Sequence, residues 1–366
     1  MTSIAPSSPS FATASASAAR GDRGIALWLF GCAAMIFLMV VIGGVTRLTE
    51  SGLSITEWQP IAGVIPPVSD ADWAREFDHY KAIPQYQAIH AGMTLAEFKT
   101  IFFWEYLHRL WGRLIGVAFA APFLWFLFAR RLSWALAPKL AGLLVLGGLQ
   151  GALGWYMVES GLADRIEVSQ YRLVAHLAAA VALYLAILWV ALDLWPSTER
   201  RVAASSTMRR ALTALLALTL LTLAAGGFVA GLRAGYIYNT FPLMNGFIIP
   251  PDYATVSPWY LNPFESLAAA QFDHRVLAEL TWLWALGVWV WLLRLDLARG
   301  MRAALHAVAA VAMLQLGLGV ATLLLVVPIP LAVAHQAGAL LLVTAALVAR
   351  HAVRRPEMDG LARTAL

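Results

Sequence analysis

The sequence predicts an all-α integral membrane protein of eight transmembrane helices, arranged as two parallel four-helix repeats related by a pseudo-twofold axis along the membrane normal. Three observations carry this expectation. Of the 366 residues, 60% are apolar and 13% charged, about half the ~25% charge of a soluble domain. Eight windows approach the ~20 apolar residues that a bilayer crossing needs. The polar residues of the second half repeat those of the first. A soluble enzyme is excluded, because 15 Trp and 16 Phe at a mean hydropathy of +0.70 would leave too much apolar surface in water. The single cysteine, Cys32, rules out an intramolecular disulfide and a thiolate metal cluster.

The first window, 25–45, ends at Gly43-Gly44. Before it lie residues 1–24, rich in Ser and Ala with Arg20 and Arg23 as the only cations, which read as a disordered cytoplasmic tail without the apolar core of a cleavable signal peptide. A mitochondrial presequence is the competing reading. The second window, 114–129, is short unless its helix begins near Glu105, which brings Glu105, His108, Arg109 and Arg113 into the first turns. The third, 140–158, carries Gln150, Gly151 and Gly154; the fourth, 173–192, opens on Ala175-His176. The fifth, 211–232, ends at Gly226-Gly227, and the sixth, 276–293, follows His274-Arg275 and contains Glu279. The seventh, 303–327, carries Gln315, Gly317 and Gly319, and the eighth, 331–349, opens on Ala334-His335.

These markers pair off in order, and His108 precedes Gln150 by 42 residues where His274 precedes Gln315 by 41. Four crossings return a chain to its starting side, so the two halves, 25–195 and 209–350, are parallel repeats. Basic residues set the orientation: sixteen lie on the side of the termini and the even loops, against seven in the odd loops. Both termini, including a tail over 351–366, are therefore expected in the cytoplasm. The net charge of +5 is a topology signal, and no nucleic-acid partner is implied.

Four of the eight histidines, His108, His176, His274 and His335, open the four spans that run inward, so they share one layer near the outer face. One membrane histidine is ordinarily an imidazole bonded to a neighbouring helix. Four in register across a duplication point to two imidazole pairs, each able to grip a haem iron; the alternative is a hydrogen-bonded network. Arg109 and Arg275 follow the first histidine of each half and suit haem propionates or interfacial anchoring. Gln150 and Gln315 read as glue within the bundle. His79, His90, His306 and His351 have no expected role. One asymmetry has chemical meaning: Glu105 lies three residues before His108 and shares its helix face, whereas Gln271 stands before His274. The carboxylate suits proton or cation chemistry in the first half alone, against a helix-dipole preference as the alternative. Glu279, five residues after His274, is either a proton-path residue or a buried hydrogen-bonded carboxyl. The loop from Thr46 to about Trp104 is dense in Gly and Pro and has helical spacing over 70–100, so it reads as a folded lid.

With these residues assembled, the chain resembles the heme A synthase family over about 25–351. The specific pieces are Gly43-Gly44-Val45-Thr46-Arg47-Leu48-Thr49 with Ser51-Gly52-Leu53-Ser54, the Glu105-x-x-His108-Arg109 run, Asn239-Thr240-Phe241-Pro242-Leu243-Met244, and the four histidines. The resemblance implies oxidation of a ring methyl of haem O to the formyl of haem A, with water as oxygen source. It implies His108 and His176 at the substrate haem, His274 and His335 as ligands of a haem b cofactor, and Glu105 as the catalytic carboxylate. It further implies a bacterial inner membrane, heme O synthase and oxidase assembly factors as partners, membrane lipid around the spans, an electron acceptor that a quinone would satisfy, and compatibility with a homo-oligomer. Some members carry a cysteine pair in the first outer loop. This loop has none, which matches the cysteine-free proteobacterial and mitochondrial-type branch. Two other readings compete, a bis-histidine dihaem cytochrome and a haem transporter; a prenyltransferase is excluded by the lack of paired Asp-rich motifs.

Overall fold

A computed structural model describes residues 11–59, 62–162, 165–195 and 205–353. In chain order, α1 (Phe11–Leu48) is followed by two short helices, α2 (Asp70–Lys81) and α3 (Pro84–Ala88), and then by α4 (Leu95–Phe128), α5 (Ala137–Leu162), α6 (Gln170–Leu194) and α7 (Ser206–Gly231). A single turn, α8 (Asn262–Glu265), leads into α9 (Leu267–Leu293), α10 (Arg299–Leu324) and α11 (Ile329–Ala352). All but α2, α3 and α8 are long and apolar enough to cross a bilayer, α1 over Arg23–Leu48. The expected eight-helix, all-α class holds.

The backbone of α1 is helical from Phe11, and its membrane-crossing stretch begins at Arg23. Residues 1–10, and all but the first three residues of the 351–366 tail, lie outside the described residues. The helix expected to begin near Glu105 begins instead at Leu95, where Thr94 and Glu97 form a reciprocal capping box. Its first turns therefore stand beyond the apolar window, and Glu105, His108, Arg109 and Arg113 are interior to one continuous helix. The helical spacing over 70–100 is met by α2, itself capped by Ser69 and Asp72, by α3 and by the start of α4.

Helix α1 packs on α4 and α6, α7 on α9, and α10 on α11; the two groups meet along α1–α11 and α6–α7. Leu29, Phe123, Leu140 and Ile187 fill the first group, with Leu340 of α11 inserted among them. Leu212, Leu292 and Leu305 fill the second. A third cluster seats the lid: Leu53, Tyr80 and Ile83 pack on Phe98, Ile101 and Phe102 of the projecting turns of α4. Burying each such side chain contributes about 1.5–3 kcal/mol, which fixes the lid over the end of the bundle that carries the histidines. Burial also pushes the Tyr80 phenol upward from its usual titration range.

Candidate functional site

The four expected histidines lie on α4, α6, α9 and α11, and each imidazole rests on a glycine of a different helix. A Cβ added at Gly154 would stand 2.9 Å from His176 Cε1, at Gly226 2.9 Å from His274 Cε1, and at Gly319 2.8 Å from His335 Cε1. At Gly43 it would stand 3.2 Å from His108 Nε2. Three of these are closer than a Cβ can sit, so the glycines set where the rings lie. As sequence markers they showed a repeat; their steric role needed the packing.

His274 and His335 face each other with ring centroids 6.4 Å apart and planes at 82°. A metal ion held between two imidazole nitrogens, with bonds of about 2 Å, separates the ring centres by roughly 6 Å, so the pair has the spacing of a shared axial ligation. The Nδ1 of His274 bonds the Thr222 carbonyl at 3.1 Å, which orients the ring and leaves Nε2 for a ligand. Thr222 is itself fixed by Thr281, hydroxyl to hydroxyl at 2.7 Å. His335 Nδ1 is buried without a hydrogen-bond partner among the described residues, as is Oε1 of the neighbouring Gln315. His108 and His176 lie within electrostatic reach of each other.

Gln150 and Gln315 act as the expected glue, each tying the backbone of one histidine. Gln150 Nε2 donates to the His176 carbonyl at 2.8 Å and lies 3.1 Å from His176 Nδ1; Gln315 Nε2 donates to the His335 carbonyl at 3.0 Å.

Glu105 is 3% exposed, and four donors converge on it. Ser54 Oγ and the Ile55 backbone N–H each donate to Oε2 at 2.8 Å, while Arg109 donates to Oε1 from Nε at 3.1 Å and from Nη2 at 2.6 Å. Arg109 also donates to the carbonyls of Ile55 (2.7 Å) and Glu57 (3.1 Å). The counterpart in the other half has reversed polarity. Gln271 donates to the carbonyls of Ala234 (2.7 Å) and Ile237 (2.6 Å) and accepts from Arg275 at 2.9 Å, and Arg275 also donates to the Tyr238 and Thr240 carbonyls. Both arginines are therefore clamps on the loop that follows α1 or α7. The propionate contacts expected of Arg109 and Arg275 rest on what remains uncommitted among the described residues, one Nη1 proton of Arg109 and, on Arg275, one Nη1 proton and the buried Nε.

Glu279 is exposed, one turn beyond Arg275, so it is not the buried hydrogen-bonded carboxyl of the second reading. His306 accepts from Trp289 Nε1 at 3.2 Å, and His351 pairs with Asp193 at 2.8 Å. His79 lies 3.6 Å from Glu57. His90, given no role by the sequence, is a link in a network across both groups of helices: Tyr80 to His90 (2.5 Å), His90 to Glu50 (3.1 Å), Glu50 to Arg233 (2.6 Å), Arg233 to Glu167, and Glu167 to Arg47 (2.7 Å).

Eight helices long and apolar enough to cross a bilayer, with four glycine-seated histidines toward one end beneath a packed lid, define a polytopic membrane protein. Among the described residues no cluster of three or more His, Cys, Asp or Glu side chains offers a different metal site. The chain belongs to the family described as cytochrome oxidase assembly protein, whose profile matches residues 26–347. It is 52% identical over 342 residues to the heme A synthase of Nitrosospira multiformis, covering 91% of this chain and 94% of that protein. It is 49% identical over 339 residues to the heme A synthase of Rhodospirillum centenum (93% and 91%), and 50% identical over 318 residues to that of Parvibaculum lavamentivorans (87% and 91%).

Proposed function

We infer that the chain is a heme A synthase, a membrane oxidoreductase that converts haem O to haem A in the assembly of cytochrome oxidase. The observation that carries the reading is the nest around Glu105, a carboxylate buried three residues before His108 and absent from the equivalent place before His274. A dihaem cytochrome or a haem transporter needs the histidines but has no use for that difference.

In this reading haem O lies between His108 and His176, and His274 with His335 would hold haem b, whose iron supplies a one-electron carrier when bound. The residues of this chain then divide the work. Gly43, Gly154, Gly226 and Gly319 let the imidazoles reach the centre, and Thr222 sets the tautomer of His274. A carboxylate offers about four lone-pair sites, and Ser54, Ile55 and Arg109 occupy four on Glu105. An acceptor so fully engaged is a weak proton abstractor and a firmly placed negative charge. Its supported role is therefore electrostatic: it stabilises positive charge developing at the reacting methyl carbon. The lid, seated by Tyr80 and Phe98, limits bulk water at this carbon. The halves act as parallel repeats, 25–195 for the substrate and 209–350 for haem b, in a bacterial inner membrane with both termini cytoplasmic and the histidines near the outer face. Heme O synthase as substrate donor and oxidase assembly factors as recipients fit a product destined for cytochrome oxidase.

Deleting the gene for this chain from its host is expected to make haem O accumulate and haem A vanish in extracted pigments. Unchanged haem A would overturn the reading. Filling one seat should act locally: Gly319→Val is expected to displace His335 and to halve haem content measured as the pyridine haemochrome, with retention of two haems per chain as the contrary result.

A further inference from the structure

We propose that the seam between α7 and α9 is a quinone site that takes electrons from the His274–His335 centre. The proposal rests on the reading that this centre holds haem b. Toward the histidine end, the seam forms a groove of about 370 Å³ lined by Leu221, Ala224 and Phe228 of α7, Phe264 of α8, and Ala270 and Asp273 of α9. Farther along the same two helices lies a second groove of about 510 Å³, lined by Ala211 of α7 and Leu280, Trp284, Gly287 and Trp291 of α9. The lining residues recur at three- and four-residue intervals, so both grooves lie on one face of the helix pair. Together they suit a ligand with a flat head and a long apolar tail lying along the bundle.

The head end carries the polar chemistry. Asp273 lies in the second turn of a membrane-crossing helix, where an ionisable side chain marks function by default, and among the described residues its one hydrogen-bond partner is the Tyr253 hydroxyl at 3.0 Å. One carboxylate oxygen is left to bond a ring oxygen of the head. The position is also redox-adjacent. Asp273 and Leu277 flank His274 on α9, and Leu221 and Ala225 flank Thr222 and Gly226, which orient and seat His274, on α7. The groove thus lies alongside the faces that hold the histidine: Ala270 is one turn before His274 and Leu277 three residues after it on α9. The chemistry balances: a ring methyl plus one water and two quinones gives a formyl group and two quinols. Four electrons leave the methyl carbon, and four protons, two from the methyl and two from the water, balance the reduction of two quinone rings, with Asp273 delivering protons to the ring oxygens.

Full-length protein in lipid nanodiscs, irradiated with an azido-ubiquinone analogue and mapped by mass spectrometry, tests this. Label is expected within 221–228 and 270–277, reduced about tenfold by Ala224→Trp, which fills the groove. Stopped-flow reoxidation of the reduced protein by decylubiquinone is expected to slow by about tenfold or more in Asp273→Asn, with haem content unchanged. Label elsewhere, label removed by added phosphatidylethanolamine, or reoxidation indifferent to both variants would each overturn the site. Photolabelling requires no haem, so the two readings fail separately. Label in the groove of a protein whose deletion leaves haem A intact sinks the synthase reading alone, and loss of haem A with label elsewhere sinks the quinone site alone.

Discussion

Glu105→Gln is expected to lower conversion of haem O to haem A by about 10²–10³-fold, the range for loss of one preorganised electrostatic group at a reacting centre. Both histidine pairs should keep their pigment, because Glu105 touches neither imidazole in the hydrogen-bond pattern and the four ring seats are made by glycines. The amide cannot replace the carboxylate quietly. Its NH₂ group must face either Arg109 or the Ser54 and Ile55 donors, all of which donate, so the 54–58 segment of the lid is expected to shift as well. Ser54→Ala separates the two effects: it removes one of four donors while keeping the charge, and should cost about tenfold or less. The check is separation of extracted haems O and A alongside the reduced-minus-oxidised spectrum. Near wild-type conversion by Glu105→Gln would show that this carboxylate is not the catalytic group.

His335→Ala is the second large effect. The ring is one of a facing pair at 6.4 Å, and its loss removes one axial ligand outright. The variant should lose the bound haem of the second half, so pigment per chain falls by half, and turnover should fall by more than about a hundredfold because electrons have no exit. The first pair lies in the other group of helices, so its pigment should persist. His176→Ala gives the mirror result: haem b retained and haem O unbound. The distinguishing readout is which pigment disappears, haem O or haem b, in acid–acetone extracts. If both variants lose the same pigment, the halves do not have separate tasks.

Much of this was legible in the sequence, for physical reasons that also mark where legibility ended. A bilayer crossing imposes length and apolarity on every helix, so the eight spans stand out. Hydropathy could not find the true start of α4, because its first turns intersperse Glu97 and Lys99 with the buried Phe98, Ile101 and Phe102. Those turns bury their apolar face against the lid, which a membrane window does not sense. The four histidines were legible because duplication repeated them at matched spacing. The partners of Glu105 were half legible: Ser54 stood in a motif without a role, and the Ile55 N–H is invisible to any reading of side chains. The role of His90 was missed altogether, since its network joins Glu50 and, from there, Arg233 and Glu167 of other segments. Only folding brings these together.

One pattern ties the two groups of helices. Gly44 lies against Gln336, the residue after His335, whereas Gly227 lies against Val174 and Leu177, the latter following His176. Each glycine pair therefore serves both a histidine of its own half and the helix of the other. Gln336 also donates to the Val40 carbonyl of α1 at 2.6 Å, so one of the two contacts is polar and the other apolar.

The central claim is that each half presents two imidazoles to one iron porphyrin. Low-temperature electron paramagnetic resonance of the purified, oxidised protein loaded with haem O tests it most directly. The account predicts two low-spin ferric signals of bis-imidazole character, one abolished by His335→Ala and the other by His176→Ala. A single signal, a high-spin spectrum, or loss of both signals in either variant would contradict it.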